Sequence, residues 1–294
     1  MNAELNNWLQ RGTWFEHKNN KLYYLAEIDP EHQTIVLIHG FPTSSFDFSP
    51  IWPLLKEAGY NLITLDMLGF GFSDKPDHRG YSISAQADLF CELLHILGIN
   101  KAHILAHDYG VSVAQELLTR QQEATSAIQW QSCCFLNGGL FPETHRALLI
   151  QKLLLSPLGK YINRLAGYRS FCKSFSSTFG PATQPSEQEL QSFWEIINFN
   201  QGKHVFHNLI TYILDRREQR DRWLKTLQSS EIPLALINGS VDPVSGSHLV
   251  DRYSELGCRL DFCTQLADIG HYPHVEHPSR VANDYLNFLS LENL

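Results

Sequence analysis

Asp108 stands in Ala106-His107-Asp108-Tyr109-Gly110, between an apolar run at residues 102–106 and a helical pattern at 111–119. A side chain presented at so tight a strand-to-helix turn needs small neighbours two residues to either side, and Ala106 and Gly110 supply them. A carboxylate in that position can attack carbon and form an ester, provided that a base later activates water against it. His271, in Gly270-His271-Tyr272-Pro273, is the candidate base, and Asp242, in Asp242-Pro243, is the acid that would orient it. Nucleophile, acid, base is the chain order in which a sheet fed by crossovers delivers a triad to one edge. His274 and His277 are neighbouring alternatives to His271, and Glu143 is the alternative acid.

A second turn, His39-Gly40-Phe41-Pro42, follows the apolar run 34–38. Its glycine permits a sharp bend that leaves the Phe41 N–H free to point toward Asp108, and with the N–H of Tyr109 it forms a candidate oxyanion hole. His39, Gly40 and Pro42 support that turn. The choice of aspartate at position 108 restricts the chemistry. A serine attacking saturated carbon would leave an inert ether, whereas a carboxylate leaves an ester that water can open at the carboxyl carbon. Epoxides and alkyl halides are the electrophiles this selects.

The elements that must hold these residues follow from patterning. Short runs apolar on both faces, at 34–38, 61–66, 102–106, 133–136, 233–238 and 259–266, read as buried parallel strands. Segments 13–17 and 22–28, around Asn19-Asn20, read as an N-terminal hairpin. Helical patterns lie between the strands. In the clearest, at 82–97, Ile83, Ala87, Phe90, Leu94 and Leu97 form one stripe, with Ser82 as cap and Gly98 as stop. The fold class is therefore α/β, with a mostly parallel sheet covered on both faces and ligands at the carboxyl ends of its strands. From about 139 to 227 only helical and loop signals occur, including a capping box from Ser186 to Glu189. The expected organisation is a core at 1–138, an inserted helical lid at 139–227 and a second core part at 228–294.

Composition narrows the function. In 294 residues, 43% are hydrophobic and 18% charged, enough apolar surface for a sizeable core. A net charge of -8 opposes binding to nucleic acid or anionic lipid. The mixed-sign run from Asp215 to Arg222 reads as a solvated helix face. Six cysteines without a C-x-x-C pair point to a reducing compartment. Residues 1–11 lack a signal-like apolar stretch, and no run reaches the roughly 18 apolar residues of a membrane span, so a cytoplasmic placement is expected. No cofactor or metal is implied: H-E-x-x-H is absent, Gly69-Phe70-Gly71 lacks the rest of a dinucleotide fingerprint, and His103 and His107 lie roughly 13 Å apart along a strand.

These motifs together resemble the α/β-hydrolase superfamily, in the branch of epoxide hydrolases and haloalkane dehalogenases. The resemblance is carried by HGFPTSSFDF, DMLGFGFSDKP, AHDYG, AQELL, NGGLFPETHR and FGPATQPSE, between His39 and Glu187, and extends through the Asp242 and His271 segments. It implies an α/β-hydrolase fold with a helical lid. It implies an aspartate nucleophile at Asp108 and His271 as base, with Tyr212 as a lid proton donor at the expected spacing before Pro233. Tyr161 and Tyr168 are candidates for a second donor. Dehalogenases of the branch place Trp after the nucleophile, whereas this chain has Tyr109, and its H-G-x-P turn is the form that epoxide hydrolases use.

The leading expectation is an epoxide hydrolase-like enzyme acting with water on a small or medium apolar electrophile. The aromatic side chains of the expected lid, Phe171, Phe175, Phe179, Phe193, Trp194 and Phe199, suit such a substrate. The alternatives are a haloalkane dehalogenase-like hydrolase, or a ligand-binding or scaffold protein that keeps the fold.

Overall fold

The computed structural model describes residues 1–77, 81–144, 146, 149–156, 159–161 and 167–291. Eight strands form one sheet: β1 Thr13–His17, β2 Asn20–Glu27, β3 Thr34–Ile38, β4 Asn61–Leu65, β5 Lys101–Ala106, β6 Gln129–Phe135, β7 Leu234–Gly239 and β8 Phe262–Leu266, in the order β1-β2-β4-β3-β5-β6-β7-β8. β1 and β2 pair antiparallel, as do β2 and β4, and every later pairing is parallel.

The helices are α1 Ala3–Arg11, α2 Trp52–Glu57, α3 Ile83–Ile96, α4 Tyr109–Gln122, α5 Leu149–Leu154, α6 Tyr168–Ser176, α7 Glu187–Asn198, α8 Phe206–Leu209, α9 Tyr212–Glu218, α10 Arg220–Gln228, α11 Ser247–Glu255, α12 Pro273–Glu276 and α13 Pro278–Leu291. Between β6 and β7 the described residues contain helices and turns and no strand.

Period-two alternation divides the central strands between two cores, which is why they read as unbroken apolar runs. Val36 and Ile38 of β3, with Ile104 and Ala106 of β5, enter one cluster. Ile35, Leu37 and Leu105 enter the other, on the opposite face. β3 has β4 on one side and β5 on the other, so the chain reverses its direction of winding there and opens a crevice at the strand ends. The register aligns those ends, with Ile38 beside Ala106 and Ala106 beside Phe135. Chain leaving β3, β5 and β6 is thereby delivered to one place.

Local signals held where they were strong. Ser82 accepts from the Ala85 N–H to cap α3, Gly98 closes it at φ 70°, and both hydrogen bonds of the Ser186–Glu189 capping box form. Three details differ from expectation. The hairpin turn is Lys18-Asn19, both at positive φ, rather than Asn19-Asn20, because His17 pairs with Asn20. β8 starts at Phe262 rather than Arg259, whose guanidinium is tied to Asp261. The segment before β1 forms α1, capped by Asn2 and anchored by buried Leu5 and Trp8, a stripe too short to announce a helix. The Asn2 N–H also donates to Glu195 on α7 at 2.9 Å, which joins α1 to the helical segment.

Candidate active site

Asp108 occupies the turn between β5 and α4 with φ 45° and ψ -105°, a conformation that non-glycine residues seldom adopt and that needs surrounding support. The support comes from close approach. A Cβ at Gly110 would fall 2.2 Å from the Ile38 carbonyl oxygen, and one at Gly40 would fall 2.7 Å from the Asp108 Cβ. The Asp108 N–H donates to the Asn137 carbonyl at 2.8 Å, and the His107 N–H to that of Ile38 at 2.9 Å. Both adjoining strand ends therefore grip the turn.

The carboxylate is 2% exposed. Its Oδ2 accepts from the Phe41 N–H at 3.0 Å, while Oδ1 lies 3.7 Å from His271 Nε2. His271 Nδ1 meets Asp242 Oδ2 at 2.7 Å. Asp242 is held in turn by the Val244 N–H at 2.7 Å, the Ser245 hydroxyl at 2.7 Å and the Asn137 amide at 3.0 Å. Tyr109 is the first residue of α4, so its N–H has no partner within the helix and stands beside Asp108.

Charge sets the protonation states. Burial works against ionisation of Asp242, but the charge of His271 and hydrogen bonds from His271, Ser245 and Val244 outweigh it and hold the carboxyl down at about 2. Burial likewise opposes the His271 imidazolium, yet Asp242, and after it Asp108, raise its pKa to about 9. Asp108 is lowered despite burial, by the positive charges of His271 and Arg216 and by the Phe41 N–H. The resting centre at neutral pH is an imidazolium between two carboxylates.

The carboxylate forms part of the wall of a cavity of about 170 Å³. His271, Phe41 and Pro42 share the core side of that wall, and Phe171, Phe175, Trp194 and Phe206 line it from the segment between β6 and β7. Gln151, Ser170, Ser174, Thr178, Lys203 and Tyr272 contribute its polar groups. Of the six aromatic side chains expected at the substrate, Phe179, Phe193 and Phe199 pack elsewhere, against Tyr272, Phe46 and Phe72.

The sequence-derived candidates divide clearly. Asp108, His271, Asp242, Phe41 and Tyr109 come together, supported by His39, Gly40 and Pro42. His39 is buried, and its Nε2 accepts from the Met67 N–H at 3.1 Å. Glu143 does not join them, because Arg220 and Arg252 hold its carboxylate. His277 is exposed. Tyr168 donates to Glu187 at the surface, and Tyr161 is 63% exposed.

Tyr212 lies off the cavity wall. Its ring packs 4.8 Å from Tyr109 and 6.3 Å from Phe41, the Arg216 guanidinium sits 4.4 Å above it, and its hydroxyl is buried. The ring is the platform for a buried cation, and its phenol feels the charge of Asp108.

That cation corrects the reading of residues 215–222 as a solvated face. Arg216 is 1% exposed, with Nε donating to the Ser112 hydroxyl at 2.6 Å and Nη2 to the backbone carbonyl of Asp108 at 3.1 Å. It follows Tyr212 by four residues and so shares that residue's inward helix face, the one signal that could have marked it. Asn137 was also overlooked, although a lone amide directly after an apolar strand is a recognisable mark.

One cluster has the residue types of a metal site. Asp47, His107 and His274, all buried, place one potential ligand atom each within 4.8 Å of one another. Burial raises Asp47 well above the carboxylate range, drops His107 to about 3 and drives His274 well down. As neutral groups, these can be joined by ordered water as well as by a cation.

This fold and this arrangement define an α/β-hydrolase, and the chain belongs to that family. Residues 33–128 match the sequence profile of the alpha/beta hydrolase fold. The mesoderm-specific transcript homolog protein of Bos taurus is 39% identical over 99% of this chain and 89% of its own. Among solved structures, a loop variant of haloalkane dehalogenase DbeA from Bradyrhizobium elkanii superposes with a TM-score of 0.78 at 19% identity, covering 96% of this chain and 97% of its own. The epoxide hydrolase CorEH superposes with a TM-score of 0.75 at 18% identity, covering 95% and 98%.

Proposed function

We propose that this hydrolase works through a covalent ester on Asp108 and that its substrate is a small apolar epoxide. The observation that carries the reading is the division of labour between the two carboxylate oxygens. Oδ2 is already engaged by the Phe41 N–H, whereas Oδ1 faces His271 across 3.7 Å, in a cavity walled mainly by apolar side chains.

In the first step Oδ1 attacks a ring carbon, the carbon–oxygen bond of the epoxide breaks, and the departing oxygen takes a proton from a donor on the cavity wall. In the second, His271, having released its resting proton to solvent once the ester has formed, removes a proton from water, the hydroxide adds to the Asp108 carboxyl carbon, and the resulting oxyanion is held by the N–H groups of Phe41 and Tyr109. An oxyanion-hole donor of this kind is typically worth about 2.7–4 kcal/mol in the transition state. Collapse passes the proton on His271 to the departing alkoxide and releases a diol, and the new Asp108 carboxyl returns a proton to the wall donor, which restores the carboxylate. Esterification also prepares the base, because it removes one of the two carboxylate charges that raise His271, so the imidazole gives up its proton more readily.

An epoxide suits the wall better than an alkyl halide. A departing halide needs N–H donors around it, yet the Tyr109 side chain turns away to place its hydroxyl 3.3 Å from the Tyr81 carbonyl oxygen. An opening epoxide needs a proton, and Tyr272, Lys203 and the hydroxyls of Ser170 and Ser174 are on the wall to supply it. Tyr212, off the wall, is not assigned that role. Residues 139–227 act as the lid, since side chains from Gln151 to Phe206 close the cavity. The six free thiols suit a cytoplasmic setting. Among the described residues, no helix is long and apolar enough to cross a membrane.

The test is the intact mass of His271→Ala protein after exposure to a panel of epoxides and haloalkanes, followed by peptide mapping. An adduct on Asp108 carrying the whole mass of an epoxide is the expected result. An adduct carrying only an alkyl group would instead make the protein a dehalogenase, and labelling at another residue would remove the aspartate mechanism.

A further inference from the structure

Behind the turn that presents Asp108 lies a second pocket, of about 410 Å³, framed by Arg146, Lys152, Arg216 and Arg217 over an apolar floor that includes Leu155 and Ile213. Its lining contains four cationic side chains and no carboxylate, in a chain whose net charge is -8. Glu143, close by in sequence, is already held by Arg220 and Arg252. Among the described residues, Arg146, Lys152 and Arg217 form no ion pair.

Arg216 ties this basic surface to the site. Its guanidinium is buried, two of its nitrogens are satisfied by Ser112 and by the Asp108 carbonyl, and it lies 4.4 Å over the Tyr212 ring. Arg146, Lys152 and Arg217 are exposed, and they are the groups that a ligand in the pocket would meet. An anion there would balance their charge.

We propose that this pocket binds the phosphate group of a phosphorylated ligand. Several cations converging from different side chains match a tetrahedral dianion better than a planar carboxylate, and the arginine fork is suited to phosphate oxygens. Because Arg216 also grips the backbone of Asp108, an occupied pocket fixes the turn from behind. The proposal concerns binding and stands whether or not Asp108 is the nucleophile.

Titration calorimetry with inorganic phosphate and phenyl phosphate, at constant ionic strength in chloride, tests it, alongside sedimentation with phosphatidylcholine vesicles with and without phosphatidic acid. The comparison protein is Lys152→Ala with Arg217→Ala, which alters two exposed side chains, its folding verified by circular dichroism. Saturable one-to-one binding of a soluble phosphate, weakened about tenfold or more in the variant, is expected, since a hydrogen bond to a charged group is worth at least that much. Binding only to phosphatidic acid vesicles, lost in the variant, would assign the same chemistry to a lipid headgroup. No binding of either kind, or binding equal in both proteins, would overturn the proposal.

Discussion

The two sides of Asp108 are built on opposite principles. In front, opposite charges lie side by side: Asp242 and Asp108 flank the His271 imidazolium, and much of the remaining wall is apolar. Behind, Arg216 holds the peptide of the same residue, its charge felt by the Asp108 carboxylate, and three more cations gather around it. The front can therefore change its charge in the course of a reaction without help, because its groups compensate one another. The back holds fixed cationic charge, three of whose four bearers are exposed. One backbone turn separates a reacting surface from a receiving one.

The comparison breaks most completely at the front. Asp108→Ala should lower turnover of a responsive epoxide by about 10⁴-fold or more, measured in steady state, because without the nucleophile only binding and the oxyanion donors remain. Asp242→Asn should cost about 10²–10⁴-fold and lower the pKa of His271, an effect visible as a shift of its imidazole resonance in an NMR pH titration. Failure of that resonance to move would mean that the front is not a compensated set.

At the back, Arg216→Met should destabilise the protein by about 1–3 kcal/mol in urea denaturation, since Ser112 and the Asp108 carbonyl lose their charged donor. It should lower turnover more than it changes KM. An unchanged rate would show that the front works without support from behind.

The smallest effect concerns pH and stability. His271 is raised to about 9, so its contribution is complete below its unfolded value near 6.5 and disappears as pH climbs through 9. Asp242, lowered to about 2, contributes fully above about 3.8 and loses that contribution as pH falls through 2. Denaturation midpoints should fall between pH 6.5 and 9, and His271→Gln should flatten that slope.

Front and back also differed in how far the sequence disclosed them. Asp108, Asp242 and His271 each follow an apolar strand, so locating the strands located the residues, and parallel topology brought the ends together. The fold class was legible for the same reason. The helical segment offered no such rule. Whether a side chain on α9 reaches the cavity, a neighbouring ring or the Asp108 peptide depends on how the helix is rotated and packed, and periodicity does not fix that rotation. Tyr212 was accordingly expected on the wall and Arg216 in solvent. The Asp47, His107 and His274 cluster was hidden because its members come from three segments far apart in the chain.

The hydrogen bond from the Phe41 N–H to Asp108 Oδ2 has a practical consequence for anyone surveying hydrolases in a cell extract. Fluorophosphonate probes report enzymes whose nucleophile is a serine hydroxyl and whose oxyanion donors await an incoming phosphoryl oxygen. Here the donor already holds an oxygen of the proposed nucleophile, and that group is a carboxylate. The protein should pass through such a survey unlabelled, and a reactive epoxide carrying the reporter tag is the probe expected to retain it.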